Sequence, residues 1–390
     1  MKRNILTTLS IALSLAATGT TWAQSQGVSR DRIVIGTIQD LSGPIAAYGK
    51  QARQGMQLRI DESNEQGGVH GRKITLLVED SAYDPKRAVL AAQKLVNQDK
   101  IFAMLGHLGS AHNMAAMPVQ FERNVPNVLP MNAAREMYEP HHRLKYAFFA
   151  PYFDQVRAVL PRMAKEKSLT KICTLYQDDE FGLEVMRGAE AAVKQMNLVL
   201  VEKTSFKRGA TDFSSQVARM KSAGCELVVL GTIIRETVGA ISEARKIGFN
   251  PVFLGTSAAY TELIPKLGGK VMDGMYTTMT TQLPYPDDTS PEVGFWAKKY
   301  KTRYGDDPSM FSAYGYVIAD ILIKGLAKAG PNLNTESFVK AMDGLAIPPD
   351  IFGTPEMSFS ATKRLGSNAS RLSQLQDGRW QIVSKYVRPD

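Results

Sequence analysis

Residues 101–113 read IFAMLGHLGSAHN, an apolar run from Ile101 to Leu105 that stops at Gly106-His107-Leu108-Gly109-Ser110 and leads at once into the helix-like MAAMPVQFERN. A strand that ends in glycines where a helix begins is the joint of a parallel α/β sheet. In such sheets ligands sit at the carboxyl ends of the strands, where helix N-termini present free N–H groups and a positive dipole end. There is no Lys here for a phosphate and no Gly-x-Gly-x-x-Gly, so the joint suits a carboxylate as well as a phosphate. Gly109 lets a backbone approach a ligand, and Ser110 offers a hydroxyl and an amide. The other reading of Ser110 is that it only caps its helix.

Outward from this stretch the same alternation continues. IVIGTI (33–38) is a short apolar strand, and LSGPIAAYGKQARQGMQLRIDESNEQGG (41–68) opens with a Ser-Gly-Pro turn and becomes a helix, with Ala52, Met56 and Ile60 four apart. KITLLVED (73–80) is a second strand, Asp84-Pro85 cap and start a helix, and VPNVLP (125–130) holds a short fourth strand. The pattern then restarts. KICTLY (171–176), LVLVEKT (198–204), ELVVLGT (226–232) and PVFLGT (251–256) are strands separated by helical segments. This predicts an α/β protein of two similar doubly wound parallel-sheet lobes. TTMTTQLPYPDDT (277–289) is turn-rich and extended. Two late helices, 292–305 and 313–330, are expected to return to the first lobe, and Asp377-Gly378 predicts a closing hairpin.

The beginning of the chain differs. Lys2 and Arg3 precede the apolar ILTTLSIALSLAATG, and small residues stand around Ala23. This is expected to be a secretory signal peptide, residues 1–23, cut near Ala23, so the mature protein is expected to be exported. No later apolar run approaches 18 residues, so no membrane span is expected in the mature chain. The formal charge of +9 is spread among interleaved acids, as in EKTSFKRGATD (202–212), with no aromatic-basic platform. That argues against nucleic acid as a partner. The two cysteines, Cys173 and Cys225, lie in or beside strands, and buried thiols are the expected state in preference to a bridge.

Catalytic signatures are missing. The sequence has no P-loop, no Gly-x-Ser-x-Gly elbow, no His-Glu-x-x-His and no Cys-x-x-Cys. His141-His142 lie in a polar loop that suggests solvation, so neither metal, cofactor nor enzymatic step is expected. The loops after strands carry the candidate ligand residues: Tyr48 after Ser42-Gly43-Pro44, Gly109 and Ser110, Met131-Asn132-Ala133, Gln177 to Phe181, Gly231 to Arg235, and Thr256-Ser257.

Taken together, LSGPIAAYGKQARQG, NEQGGVHGRKITLLVED, DPKRAVLAAQKLV, GHLGS and NVPNVLP resemble, in order and spacing, the periplasmic leucine/isoleucine/valine-binding proteins, the solute-binding components of ABC importers. The resemblance begins near Val28 and weakens after about residue 280. It implies the type I periplasmic binding protein fold, two lobes joined by a three-crossing hinge, with lobe 1 at 28–148 plus 280–369 and lobe 2 at 149–279 plus 370–390. By the same resemblance Ser110 is the carboxylate-binding Ser and Tyr48 a pocket Tyr. The neighbouring Thr becomes Ala133, two pocket tyrosines become Phe181 and Ile233, and the acid that pairs with an α-ammonium becomes Ser257. The family's cysteine pair falls on Tyr83 and Gly109, so that disulfide is expected to be absent. An ammonium taken into a closed cleft without an anionic partner costs several kcal/mol. The expected ligand is therefore a small carboxylate without an amine, aromatic or otherwise apolar. The alternatives are an amino acid held by Asp178, Asp179 or Glu236, and a sensing module for a membrane receptor. A monomer that docks on a membrane permease is the expected working form.

Overall fold

The computed structural model describes residues 25–389, so the expected leader at 1–23 lies outside the described residues. In chain order the first half runs β1 (Arg32–Gln39), α1 (Ala46–Glu65), β2 (Lys73–Asp80), α2 (Pro85–Gln93), β3 (Ala103–Leu105), α3 (Ser110–Phe121), β4 (Asn127–Val128) and β5 (Lys145–Tyr146). The second set runs α4 (Tyr152–Glu166), β6 (Ile172–Gln177), α5 (Glu180–Gln195), β7 (Glu202–Phe206), α6 (Ser214–Ser222), β8 (Leu227–Gly231), α7 (Arg235–Lys246), β9 (Val252–Gly255), α8 (Leu263–Gly268) and β10 (Tyr276–Met279). Then follow α9 (Pro291–Tyr304), α10 (Met310–Ala329), α11 (Thr335–Met342), a small β11 (Ala346–Ile347) and β12 (Met357–Ser358) pair, and the hairpin β13 (Arg371–Gln376) and β14 (Arg379–Ile382).

Two sheets result, one of five strands in the order β2-β1-β3-β4-β5 and one of seven in the order β14-β13-β10-β9-β8-β6-β7. The first is wholly parallel. Within the second, β6 to β10 repeat the order of the first sheet, and β13 adds antiparallel to β10. In each lobe the strand order reverses between the first strand and the third, β1 with β3 and β6 with β8. Those reversals are the switch points at which a crevice opens above the sheet.

The chain passes between sheets three times, after β5, after β10 and after β12. On its second passage it brings back α9 and α10. Tyr300 Oη donates to Gln54 Oε1 at 2.6 Å and Tyr304 Oη to the Gln54 carbonyl at 2.9 Å, which fixes α9 to α1. The contact of α10 with α1 is closer still: a Cβ on Gly55 would run into the Ser312 carbonyl, and one on Gly315 into that of Ala52. By length and composition α10 could cross a membrane, contrary to the expectation that no such run exists in the mature chain, but most of it is buried against α1 and α11. It is a core helix of the first lobe.

Three further sequence expectations are corrected. TTMT was read as part of an extended loop, and Tyr276–Met279 is a strand shared by both neighbours of its sheet. The strand expected at 198–204 begins at Glu202 instead. β7 is the edge strand, pairing with β6 from Cys173↔Glu202 onward, and Val199 and Val201 remain 74% and 41% exposed because no second face covers them. Finally, Cys173 and Cys225 are bridged, with Cα atoms 5.8 Å apart. Cys173 lies in β6 and Cys225 enters the adjacent β8, and neighbouring strands bring such positions within bridging range.

Candidate functional site

The two switch points face each other across a closed cleft. From the first lobe come the passage from β1 into α1, which carries Ile45 and Tyr48, and the passage from β3 into α3, which carries Gly109 and Ser110. From the second come Phe181 after β6, Ile233 after β8, and Ser257 and Ala258 after β9. The space between them, with the open solvent at its mouth included, amounts to about 470 Å³. Of the sequence-predicted residues, Tyr48, Gly109, Ser110, Asn132, Phe181, Ile233 and Ser257 line it. Ala133 does not: it is buried behind the wall, and its carbonyl accepts from the Tyr152 N–H at 2.7 Å.

At the start of α3 the N-cap residue is Gly109, whose φ of 97° suits glycine, and Ser110 is the first helical residue. The capping reading of Ser110 therefore does not hold. Its hydroxyl makes no cap bond and reaches only Asn132 Oδ1, at 3.4 Å. The first-turn N–H groups of the helix have no intrahelical acceptor, and of these residues Ser110 lines the cavity. Asn113 braces the turn from behind, its side-chain amide donating to the carbonyls of His107 and Gly109 at 2.7 and 2.8 Å.

Aromatic rings form much of the remaining wall. Tyr48 stacks on Phe311 at 3.7 Å, Tyr152 meets Phe181 edge-on at 5.0 Å, and Phe149 meets Tyr314 edge-on at 4.7 Å. Tyr83, Phe149, Tyr152, Phe311 and Tyr314 were not singled out from the sequence. The first stands on a turn where Ala82 and Tyr83 both take left-handed φ, 46° and 56°. Such strain is retained where the surroundings hold it, and here Tyr83 is stacked on His112 at 4.4 Å with Arg208 5.2 Å from its ring. Burial pushes the His112 imidazole down to about 4, so the stack is neutral near pH 7. The others come from the first crossing segment and from α10. Their only sequence signal was their aromatic character.

Charge is arranged around the cavity, and none of the described residues lining it is ionic. Ser257, where the resemblance puts an acid, is held by Gln155 of α4. Gln155 Nε2 donates to Ser257 Oγ at 2.9 Å and its Oε1 accepts from the Ser257 N–H at 3.0 Å. Asp178 is exposed. Asp179 caps α5 by accepting from the Phe181 and Gly182 N–H groups and pairs with Arg208 at 2.7 Å. Glu236 is buried beside Arg235, 3.4 Å away. Tyr48 lies within electrostatic reach of Glu236 and Glu262, and burial holds its phenol well above the usual range.

Contacts between the lobes close the cleft. Tyr48 Oη donates to the Ala258 carbonyl at 2.9 Å, and Gln51 Nε2 to Glu262 Oε1 at 3.3 Å. On the other flank Arg135 makes two parallel bonds of 2.8 Å to the carboxylate of Glu184, whose side chain is 1% exposed. The Arg135 guanidinium also lies 3.9 Å over the Phe153 ring.

A family profile described as "Periplasmic binding protein" matches residues 32–379. The chain is 27% identical over 330 residues to "Leu/Ile/Val-binding protein homolog 7" of Brucella abortus (strain 2308), covering 82% of each. It is 25% identical over 308 residues to the "Leucine-, isoleucine-, valine-, threonine-, and alanine-binding protein" of Pseudomonas aeruginosa, covering 78% of this chain and 81% of that one. Among solved structures it is similar to a "Fatty acid ABC transporter substrate-binding protein from Thermomonospora curvata", with a TM-score of 0.84 and 22% identity over 93% of this chain and 94% of that one.

Proposed function

The chain belongs to the periplasmic binding protein family, and from that premise we propose that it is the solute-binding component of an ABC importer whose closed cleft takes a small carboxylate without an amine. The observation that carries this reading is the pairing of an uncapped helix start, with Ser110 beside it, and a cavity whose lining is otherwise aromatic, aliphatic or neutral polar. A carboxylate is held by N–H groups, a hydroxyl and the positive end of α3. An ammonium in the same cavity meets Ser257, already engaged by Gln155, and loses several kcal/mol of solvation with no ion to offset it. The aromatic walls suit an aryl or apolar body.

In this reading lobe 1 comprises 28–148 plus 280–369 and lobe 2 comprises 149–279 plus 370–390. The protein is exported to the periplasm, works as a monomer, opens and closes about the three crossings, and delivers its closed form to a permease.

A specific observation favours a second reading. The relatives matched in sequence are named for amino acids, and Glu236 and Glu262 lie within electrostatic reach of Tyr48 at the cavity wall. A branched-chain or other amino acid would then use one of those carboxylates for its ammonium.

A thermal-shift screen of the mature chain with paired ligands, α-amino acids against the same acids lacking the amine, separates the two. A ligand at 100 times its Kd adds about 2.7 kcal/mol to stability. Stabilisation by the amine-free member of each pair alone is the expected result. Stabilisation by leucine and its relatives alone would favour the second reading and make Glu236 and Glu262 the residues to replace.

A further inference from the structure

Gln155 lies near the start of α4, just past the first crossing, and is fully buried. Its side chain makes four hydrogen bonds. Oε1 accepts from the Ser257 N–H at 3.0 Å and from the Thr278 hydroxyl at 2.6 Å, and Nε2 donates to the Ala150 carbonyl at 2.7 Å and to Ser257 Oγ at 2.9 Å. Two of these partners are backbone groups with a single role each, an N–H that can only donate and a carbonyl that can only accept. They fix which way the amide points, because turning it over would set its NH2 against an N–H and its oxygen against a carbonyl. The Ser257 hydroxyl has no such fixed role and takes the one left to it, accepting from Nε2.

Ser257 lines the cavity on the second lobe's side, whereas Gln155 stands behind it, outside the lining. With its N–H bonded and one lone pair of its hydroxyl in use, Ser257 has less to offer a donor than a free serine has. The group behind it is the positive end of an amide dipole. An ammonium, which brings three donors and a charge, meets the wrong polarity there. Resting on the reading that the cleft takes an amine-free carboxylate, we propose that Gln155 sets this preference, as a positioning residue that touches no ligand and acts through Ser257. Its amide keeps the wall at Ser257 neutral and turned away from donors, so the cleft takes an acid and excludes the same acid carrying an α-amine.

The test is calorimetry on the mature protein with two matched pairs, 4-methylpentanoate against leucine and 3-phenylpropionate against phenylalanine. The readout is the ratio of the two dissociation constants in the pair that binds more tightly. In the wild-type protein the acid is expected to be the tighter binder. Gln155→Glu keeps the length of the side chain and puts a carboxylate beside Ser257, and is expected to shift the ratio toward the amino acid by at least about tenfold, the effect of an opposite charge close to the ammonium. Ser257→Ala removes the remaining lone pair and leaves the amide donors in place, and is expected to shift the ratio the other way by about threefold. A merely structural glutamine would weaken both members of a pair alike, so an unmoved ratio in either folded variant overturns the proposal, and so does a shift toward the amino acid in Ser257→Ala. Should Gln155→Glu not fold, Ser257→Ala decides alone. A wild-type protein that prefers the amino acids, or binds none of the four probes, would overturn the carboxylate reading and this role with it.

Discussion

At the first helical position of α3, the Ser110 hydroxyl is spared from capping and can face a ligand. Removing a hydroxyl that bonds a charged group costs about 1.5–3 kcal/mol. Ser110→Ala is accordingly expected to weaken carboxylate binding by roughly tenfold or more with little change in the melting temperature of the ligand-free protein, read by calorimetry and thermal unfolding. Unchanged affinity would remove the carboxylate from the start of α3. Residues like this one were legible because they follow a strand: Ser110, Phe181, Ile233 and Ser257 each sit within a few positions of a strand end at or beside a switch point, and Tyr48 in the first turn of the helix that follows β1. Ala133 met the same criterion and failed it, because position after a strand does not say which way a side chain points, and here the backbone carbonyl is taken by Tyr152. Phe149, Tyr152, Phe311 and Tyr314 were hidden for another reason. They reach the cavity only because the chain crosses between lobes, and no local pattern near them records that.

Among the elements, β6 and β8 were recognisable from apolar runs, but their covalent link was not, since strand adjacency is a property of the sheet order. The bond between Cys173 and Cys225 spans 52 residues of sequence. Closing a loop of that size lowers the entropy of the unfolded chain by about 4 kcal/mol in free-energy terms. A Cys173→Ser, Cys225→Ser double variant should lose a comparable fraction of unfolding stability in denaturant titration, with the loss abolished by comparing both proteins under reducing conditions. A loss of stability confined to β7, the edge strand, would show instead that the bond only pins the sheet margin. The misplaced start of β7 has the same origin as the missed bridge. LVLV carries strand propensity, yet an edge position gives Val199 and Val201 nothing to pack on, and tertiary context decides.

For the whole molecule, the charged contact that separates a closed from an open form lies outside the cavity. Arg135 and Glu184 belong to opposite lobes and make the bidentate pair of hydrogen bonds between guanidinium and carboxylate that planar groups favour. When the lobes part, Glu184 keeps Arg187, 3.5 Å away on its own helix. The pair thus acts mainly on the closed form. Glu184→Gln is expected to raise the ligand dissociation rate at least about tenfold while changing the association rate much less, measured by stopped-flow fluorescence from the tryptophans. Equal changes in both rates would mean that the pair acts on the open form as well. The two-lobe plan itself was readable from the repeated strand and helix alternation. The return of α9 and α10 to the first lobe was expected from the need of late helices for a sheet to cover, and their seating on α1 meets that need.

The seating of α10 on α1 also bears on the order in which the chain is made. Ala52, Gly55 and Met56 on α1 receive their cover from a helix that leaves the ribosome about 250 residues later. β6 through β10, by contrast, form a contiguous stretch that can pair as soon as it emerges. A nascent chain that has just completed β10 therefore carries a five-stranded sheet with one flank of α1 bare, beside a second sheet that lacks only its final hairpin. The first part synthesised waits longest for its cover. Such a chain stays open to a holding factor, or to threading through a pore, for most of the time it takes to make.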